Sequence, residues 1–246
     1  MKKKIFTISF IVCLFAIAIA GVTLAYFTAE DSVDNVFVMK GIKIELREEF
    51  AEDSTLVPGL DINKDVYVAN TGELDAYARV HIAIPTALDA GTPSSEYERN
   101  YLHWAFADES VKSGEWSWLP TLTDGDGYSD EETLNSYKTN IDGIEYTVYV
   151  ATYRQAVKAG ETTDTCALDK VFIDSCVDCE WDPEKECYFY TDNKGNEVFP
   201  EDYGKNGKVE IKVLAEAAQT ETFADAYDAL NTAFGVPGSY DPWNHS

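Results

Sequence analysis

Histidine is almost missing from this chain. Its 246 residues include only His81, His103 and His245, too few to supply the ligands of most zinc-enzyme centres. Basic residues are also scarce, 19 against 44 acidic ones, for a formal net charge of −25. Such a surface repels phosphates and anionic headgroups, which excludes nucleic acid as a partner. Catalytic signatures are absent as well. The sequence has no H-E-x-x-H, no G-x-S-x-G, no phosphate loop and no dinucleotide fingerprint. Two carboxylates could do glycosidase work, and Trp104, Trp116 and Trp118 could stack sugars, but no spacing singles out an acid pair. His81 falls on the polar side of its strand and reads as a surface residue. His103, within Tyr101-Leu102-His103-Trp104, reads as a packed, hydrogen-bonded one. No enzyme activity and no cofactor are expected.

Long apolar runs are confined to the start. Lys2, Lys3 and Lys4 precede an apolar stretch, Ile5 to Ala20, broken only by Thr7 and Ser9. Gly21 then leads to small residues at Thr23 and Ala25. A basic head, a short apolar middle and a small-residue exit describe a secretory signal peptide over residues 1–25, with Thr23, Ala25 and Tyr26 as its cleavage region. The rival, a membrane anchor, wants about 20 apolar residues. Removal takes three lysines and no acid, leaving −28. The expectation is an exported, extracellular protein with no membrane association once the leader is gone.

Beyond the leader, hydrophobicity runs in period two. Ile42, Ile44 and Leu46 alternate with Lys43, Glu45 and Arg47; Val66-Tyr67-Val68-Ala69 is a second strand. Ala78, Val80, Ile82 and Ile84 share one face against Arg79 and His81, and Pro85 ends the run. Tyr146, Val148 and Val150, then Val209, Ile211, Val213 and Ala215, repeat the pattern. Strands between turns, with an aromatic content of 13%, predict an all-β antiparallel sandwich or barrel. Residues 26–246 read as one domain, with loop insertions at 86–140 and 155–207. One helix is predicted over 222–235, from the stripe Phe223, Tyr227, Leu230 and Phe234, a Thr222–Asp225 cap and Gly235 as terminator. It reads as a lid on the sandwich, and the tail after Gly235 reads as loose.

Cysteine is sparse but clustered. Cys13 leaves with the leader, and Cys166, Cys176, Cys179 and Cys187 remain. An even number in an exported chain predicts two disulfides, in any of three pairings. A four-cysteine zinc site is the rival, because Cys176-x-x-Cys179 offers one ligand pair, and free thiols are the third case. Asp124-Gly125-Asp126-Gly127 with Asp130, Glu131 and Glu132 suggests a calcium loop. With Gly127 as the loop glycine, however, Leu122 and Thr133 fall where that loop needs acids. A solvated loop, with at most adventitious calcium, is expected.

Several of these segments resemble one family. Gly21-Val22-Thr23-Leu24-Ala25-Tyr26-Phe27-Thr28 is similar to the leader ending processed by the SipW-type signal peptidase. Val57-Pro58-Gly59, Val66-Tyr67-Val68-Ala69-Asn70-Thr71-Gly72-Glu73-Leu74, Tyr77-Ala78-Arg79-Val80, and the stretch from Val209 to Gln219 resemble strands of the TasA–camelysin family, in the right order. The resemblance implies a jelly-roll-like β-sandwich and a secreted subunit of a bacterial biofilm matrix. The expected partners are further copies or other matrix proteins. Some members carry a metallopeptidase label, for which this chain has no matching motif. A monomeric surface adhesin or binding module is the alternative, and a metallo-endopeptidase a lesser one. Cleavage near Ala25 would free a β-compatible segment, with Phe27, Ala29, Val33, Val36, Phe37 and Val38 as a candidate donor strand for a neighbour's sheet edge.

Overall fold

Alternation along the sequence becomes two facing sheets. A computed structural model describes residues 41–49, 57–89, 100–105, 114–121, 134–184, 187–198 and 209–243, all within one compact unit, Lys40–Ser246. The signal-peptide residues Thr23, Ala25 and Tyr26, the candidate donor strand (Phe27, Ala29, Val33, Val36, Phe37, Val38) and the acidic loop 124–132 lie outside the described residues.

Twelve strands are present among these residues: β1 Ile44–Glu49, β2 Ile62–Asn63, β3 Asp65–Asn70, β4 Ala76–Pro85, β5 Leu102–Ala105, β6 Trp116–Ser117, β7 Ser136–Ile141, β8 Ile144–Tyr153, β9 Lys170–Ile173, β10 Val177–Asp182, β11 Cys187–Asp192 and β12 Lys212–Gln219. One helix, α1, spans Ala226–Phe234. The chain is all-β, and every strand pair is antiparallel.

The larger sheet has the order β12-β4-β8-β6, with β7 also on β8. Its centre is β4, whose Val80 faces Ala215 on one side and Ala151 on the other. The second layer is built from β1-β3 and β2-β9-β5. Irregular backbone joins these two ladders: Lys64 N donates to Asp169 O at 2.8 Å, Val66 N to Leu168 O at 3.0 Å and Thr163 N to Val68 O at 2.9 Å. Segment 160–169 thus runs beside β3 as β9 runs beside β2. Val66 and Val68 from this layer meet Val80, Ile82, Ile84 and Ala151 from the other, with Trp116, Trp118 and Leu168 filling the gap. Burial of this apolar set is what holds the sandwich together.

Several expectations shift. The stretches read as loop insertions carry β5, β6, β9 and most of β7 as sheet members, and β10 and β11 as a hairpin. Their alternation is masked by polar outward positions: β7 reads Ser-Tyr-Lys-Thr-Asn-Ile and exposes Ser136, Lys138 and Asn140. Asp142 (φ 54°) and Gly143 (φ 89°) supply the positive backbone angles of the tight β7–β8 turn. Helix α1 starts later than expected. Its N-cap is Asp225, which accepts from Asp228 N at 2.9 Å, and Gly235 follows at φ 98°. Thr222 does not cap; it takes a positive φ of 77° ahead of the helix. Tyr227 and Leu230 are buried as the stripe requires, whereas Phe234 stays 37% exposed. The tail is not loose, because Pro242 is buried and Trp243 packs beside Ala83, Tyr146 and Val148.

Candidate functional site

Besides Asp89, which takes the Tyr149 hydroxyl at 2.6 Å, and Lys64, paired with Glu48 at 2.8 Å, three clusters of ionisable side chains stand out among the described residues. The first lies on the outer face of the large sheet. Antiparallel register sets Arg79 of β4 directly opposite Glu216 of β12, and His81 follows two residues on, on the same side. Helix α1 and the tail cover this face, so Arg79 is 2% exposed, His81 0% and Glu216 7%. Arg79 Nε donates to Glu216 Oε2 at 2.7 Å, Nη1 to Asn231 Oδ1 at 3.0 Å, and Nη2 to Gly235 O at 3.0 Å and Tyr240 Oη at 2.6 Å. The rings of Phe234 and Tyr240 each lie 5.7 Å from the guanidinium carbon. Tyr240 in turn donates to Glu216.

His81 closes the cluster, with Nε2 3.2 Å from Glu216 Oε2 and Nδ1 3.1 Å from Tyr137 Oη. Trp243 Nε1 donates to the same Tyr137 oxygen at 3.1 Å. Burial holds the His81 pKa below its ordinary 6.5, against the pull of Glu216. Burial works against the Glu216 carboxylate too, but hydrogen bonds from His81 and Tyr240 and the charge of Arg79 hold it down at about 2. A complete hydrogen-bond set of this kind fixes geometry. His81 is therefore no surface residue. Its polar side of the strand is covered by a segment some 150 residues further along the chain.

The second place is the start of the β10–β11 hairpin. His103 stacks on Phe172, its register partner, at 4.7 Å and 11°, and its Nε2 lies 2.9 Å from Asp174 Oδ2. Asp174 Oδ1 accepts from Cys176 N at 2.8 Å. Burial opposes that carboxylate, yet bonds from Cys176 and His103 keep its pKa below the ordinary value. Imidazole and thiol both turn to Asp174, with the carboxylate between them. An activated thiol needs the imidazole against sulfur instead. Close by, Asp192 accepts from Tyr101 Oη at 2.8 Å and from the backbone of Lys194 and Asn196, each at 2.8 Å. That carboxylate shapes a turn.

The third place brings Asp65, Cys166 and Asp169 together, with ligand atoms within 4.8 Å of one another. One thiol and two carboxylates could hold a divalent cation. Burial, followed by the two nearby carboxylates, pushes the Cys166 thiol up to about 11, so it is protonated at neutral pH. Cys166 is a free cysteine, whereas the sequence reading places it in one of two disulfides. Cys166 sits beside Asp65 and Asp169, and Cys176 beside Asp174. Cys179 lies on β10 opposite Tyr190, and Cys187 on β11 opposite Asp182; their side chains lie outside the described residues.

Trp116 and Trp118 are core residues at 0% exposure. Trp104 is half-buried, its ring 5.0 Å from that of Trp118 and 4.6 Å from that of Tyr149. An open groove of about 420 Å³ runs beside α1, lined by Pro120, Thr121, Asp225, Tyr227, Asp228 and Asn231, among others. Among the described residues, no helix is long and apolar enough to cross a membrane. Of the first cluster, the sequence singles out only His81. Arg79, Glu216, Tyr137, Tyr240 and Trp243 form no motif. The one usable signal is a set of charged residues in the off-phase of two strands otherwise rich in Val, Ile and Ala. Comparison with family models, with curated proteins and with solved structures finds no match for the chain.

Proposed function

We propose that this chain is an exported structural subunit of a bacterial extracellular matrix, which assembles when the freed N-terminal segment of one copy adds as a strand to the sheet of the next. The observation that carries the reading is the state of the sheet ends. Among the described residues, β12 pairs only with β4 and β1 only with β3; these two strands also lie against one another, and their unpaired ladder sides are where an incoming strand would add. The contact would be heterologous and would propagate rather than close.

The segments that resemble the TasA–camelysin family support the same reading. Val66 to Asn70 falls on β3, Tyr77 to Val80 on β4 and Val213 to Gln219 on β12, which are elements of the two layers and not peripheral loops. A jelly-roll connection of these layers belongs to the proposal. The first two polar clusters support a structural role as well, since their carboxylates are taken up by ion-pair and turn bonds. The opposing term is charge. At −28 after leader removal, copies repel, and raised salt or lowered pH favours assembly.

The test compares chains beginning at Tyr26 and at Val36 by sedimentation and electron microscopy at pH 4.5 and 7.5, at low and high salt. Fibres are expected from the first and not from the second. Two monomers under every condition, or equal polymerisation, would overturn the donor-strand mechanism.

A further inference from the structure

The ion cluster on the outer face of the large sheet is covered by one C-terminal segment, α1 with the tail to Trp243. Its charges balance only while His81 is neutral, because Arg79 and Glu216 cancel. The hydrogen-bond directions fix which neutral form is present. Glu216, ionised, can only accept, so His81 Nε2–H donates to it. Nδ1 is then an acceptor and takes the Tyr137 hydroxyl. The Tyr137 oxygen accepts from Trp243 Nε1–H. Every hydrogen in this relay has one acceptor.

A second proton on the ring undoes it. Nδ1–H would have to donate to the Tyr137 oxygen, where the Trp243 N–H already arrives, and the Tyr137 hydroxyl hydrogen would lose its acceptor. A net positive charge would also be buried at a residue with 0% exposure. We propose that His81 is the acid-sensitive latch of a C-terminal strap: its protonation breaks the relay to Trp243 and frees α1 and the tail from the sheet, while the sandwich stays folded.

The strap is the part that gives way because its own apolar contact is small. Ala226, Ala229 and Leu230 meet Ala218, with Tyr77 and Phe223 partly buried beside them, and the tail adds Trp243 on Ala83, Tyr146 and Val148. The sandwich core behind it holds two fully buried tryptophans. Local opening is cheapest at a chain end with little buried apolar area. Two polar anchors hold the helix: the hydroxyl of Tyr227, bonded to Ser117 Oγ at 2.8 Å and Leu119 O at 2.9 Å, and Asn231 Oδ1, which accepts from Arg79 at 3.0 Å.

The groups that surround the imidazole come from every packed element. Arg79 lies on its own strand and Glu216 on β12; β8 presents Val150, and Tyr137 comes from β7. The tail brings Tyr240, Asp241 and Trp243, and α1 the neutral amide of Asn231. The sign follows from a folded pKa held below 6.5. The latch contributes its full stability above pH 6.5 and loses it as pH falls below that value. Glu216, ordinarily 4.5 and here about 2, weakens the same strap only below pH 4.5, so the interval between belongs to His81. Release would uncover Tyr77 and Ala218 on the sheet and the apolar face of α1. The inference is independent of the assembly reading.

Hydrogen exchange read by mass spectrometry on the full chain, corrected for intrinsic rates, tests it between pH 7.5 and 4.8. Opening of amides 226–240 is expected to rise by up to about tenfold per pH unit below 6.5, while β4 and β8 keep their protection. In His81→Gln the rise should vanish. Trp243→Phe, which cuts the relay at its far end and leaves His81 in place, should open the strap already at pH 7.5. Flat protection of the native strap down to pH 4.8 would overturn the latch. So would simultaneous loss from strap and sheet, or an unchanged slope in His81→Gln.

Discussion

Replacing Arg79 by Ala tests the energetic reading of the outer-face cluster most directly. The guanidinium makes four hydrogen bonds, to Glu216, Asn231, Gly235 and Tyr240, and is 2% exposed. Its loss leaves the Glu216 carboxylate buried with only Tyr240 and a neutral imidazole. Breaking a buried pair by removing one partner costs about 3–5 kcal/mol. For a domain of this size each kcal/mol moves Tm by roughly 2–4 °C, so a fall of about 6–20 °C is expected. The control is the double replacement Arg79→Met with Glu216→Leu, which removes both charges and keeps apolar volume. Exchanging a whole buried pair for hydrophobic residues is close to neutral or better, so the double variant should recover most of the loss. Urea and thermal unfolding of the three chains, monitored by near-ultraviolet circular dichroism, give the numbers. A cost below about 1 kcal/mol for Arg79→Ala would show that the pair is hydrated and not buried. A double variant as unstable as the single one would show that the guanidinium acts through its bonds to Asn231, Gly235 and Tyr240 rather than through the ion pair. Either result refutes the reasoning.

Two further perturbations probe other joints of the fold. A Cβ at Gly72 would lie 2.6 Å from Lys43 N and 2.7 Å from Gly41 O, both backbone atoms; Gly72→Ala should therefore push residues 41–43 from the end of β3 and cost about 1–3 kcal/mol, read as lost exchange protection at Thr71 and Glu73. Iodoacetamide applied to unreduced, folded protein should spare buried Cys166 until urea is added and label it then, as peptide mapping will show; a bridge on Cys166 would contradict the free thiol.

Strands that alternate cleanly are legible in the sequence, and for a physical reason. Residues 78–84 of β4 and 66–69 of β3 put Val, Ile and Ala on a face that has to be buried, so period two survives in the letters. The pattern fails where a strand is short or leaves one side wet. β6 is two residues long, and β7 has Ile141 as its one fully buried position. It fails again on β8, where Tyr146 and Val148 pack outward under Trp243, while Tyr149, Ala151 and Tyr153 point to the main core; both phases are apolar, and alternation cannot say which faces inward. The outer-face cluster is hidden for a related cause. Arg79, His81 and Glu216 look like solvated positions because the segment that covers them is remote in sequence. Local periodicity carries no information on a cover that arrives from residues 226–243.

The stretch from Gly160 to Val198 gives Ala167, Leu168, Val171, Ile173, Val177 and Val198 to the main core, and hydrogen bonds order its polar remainder. Its first half borrows the backbone of β3 and β2: Gly160 N reaches Asn70 O at 2.9 Å, Ala167 N reaches Val66 O at 2.8 Å, and β9 continues the ladder to β5. Its second half turns on two aspartates. Asp174 receives Cys176 N and His103, and Asp192 receives Lys194 N, Asn196 N and Tyr101. Each carboxylate thus satisfies turn amides that would otherwise need water, and ties the turn to β5 or its threshold. Hydrogen bonds to a charged acceptor are stronger than those between neutral groups. An acidic chain poor in cysteine and histidine can therefore order a polar hairpin with the one resource it has in excess, and Asp174 and Asp192 are where it does so.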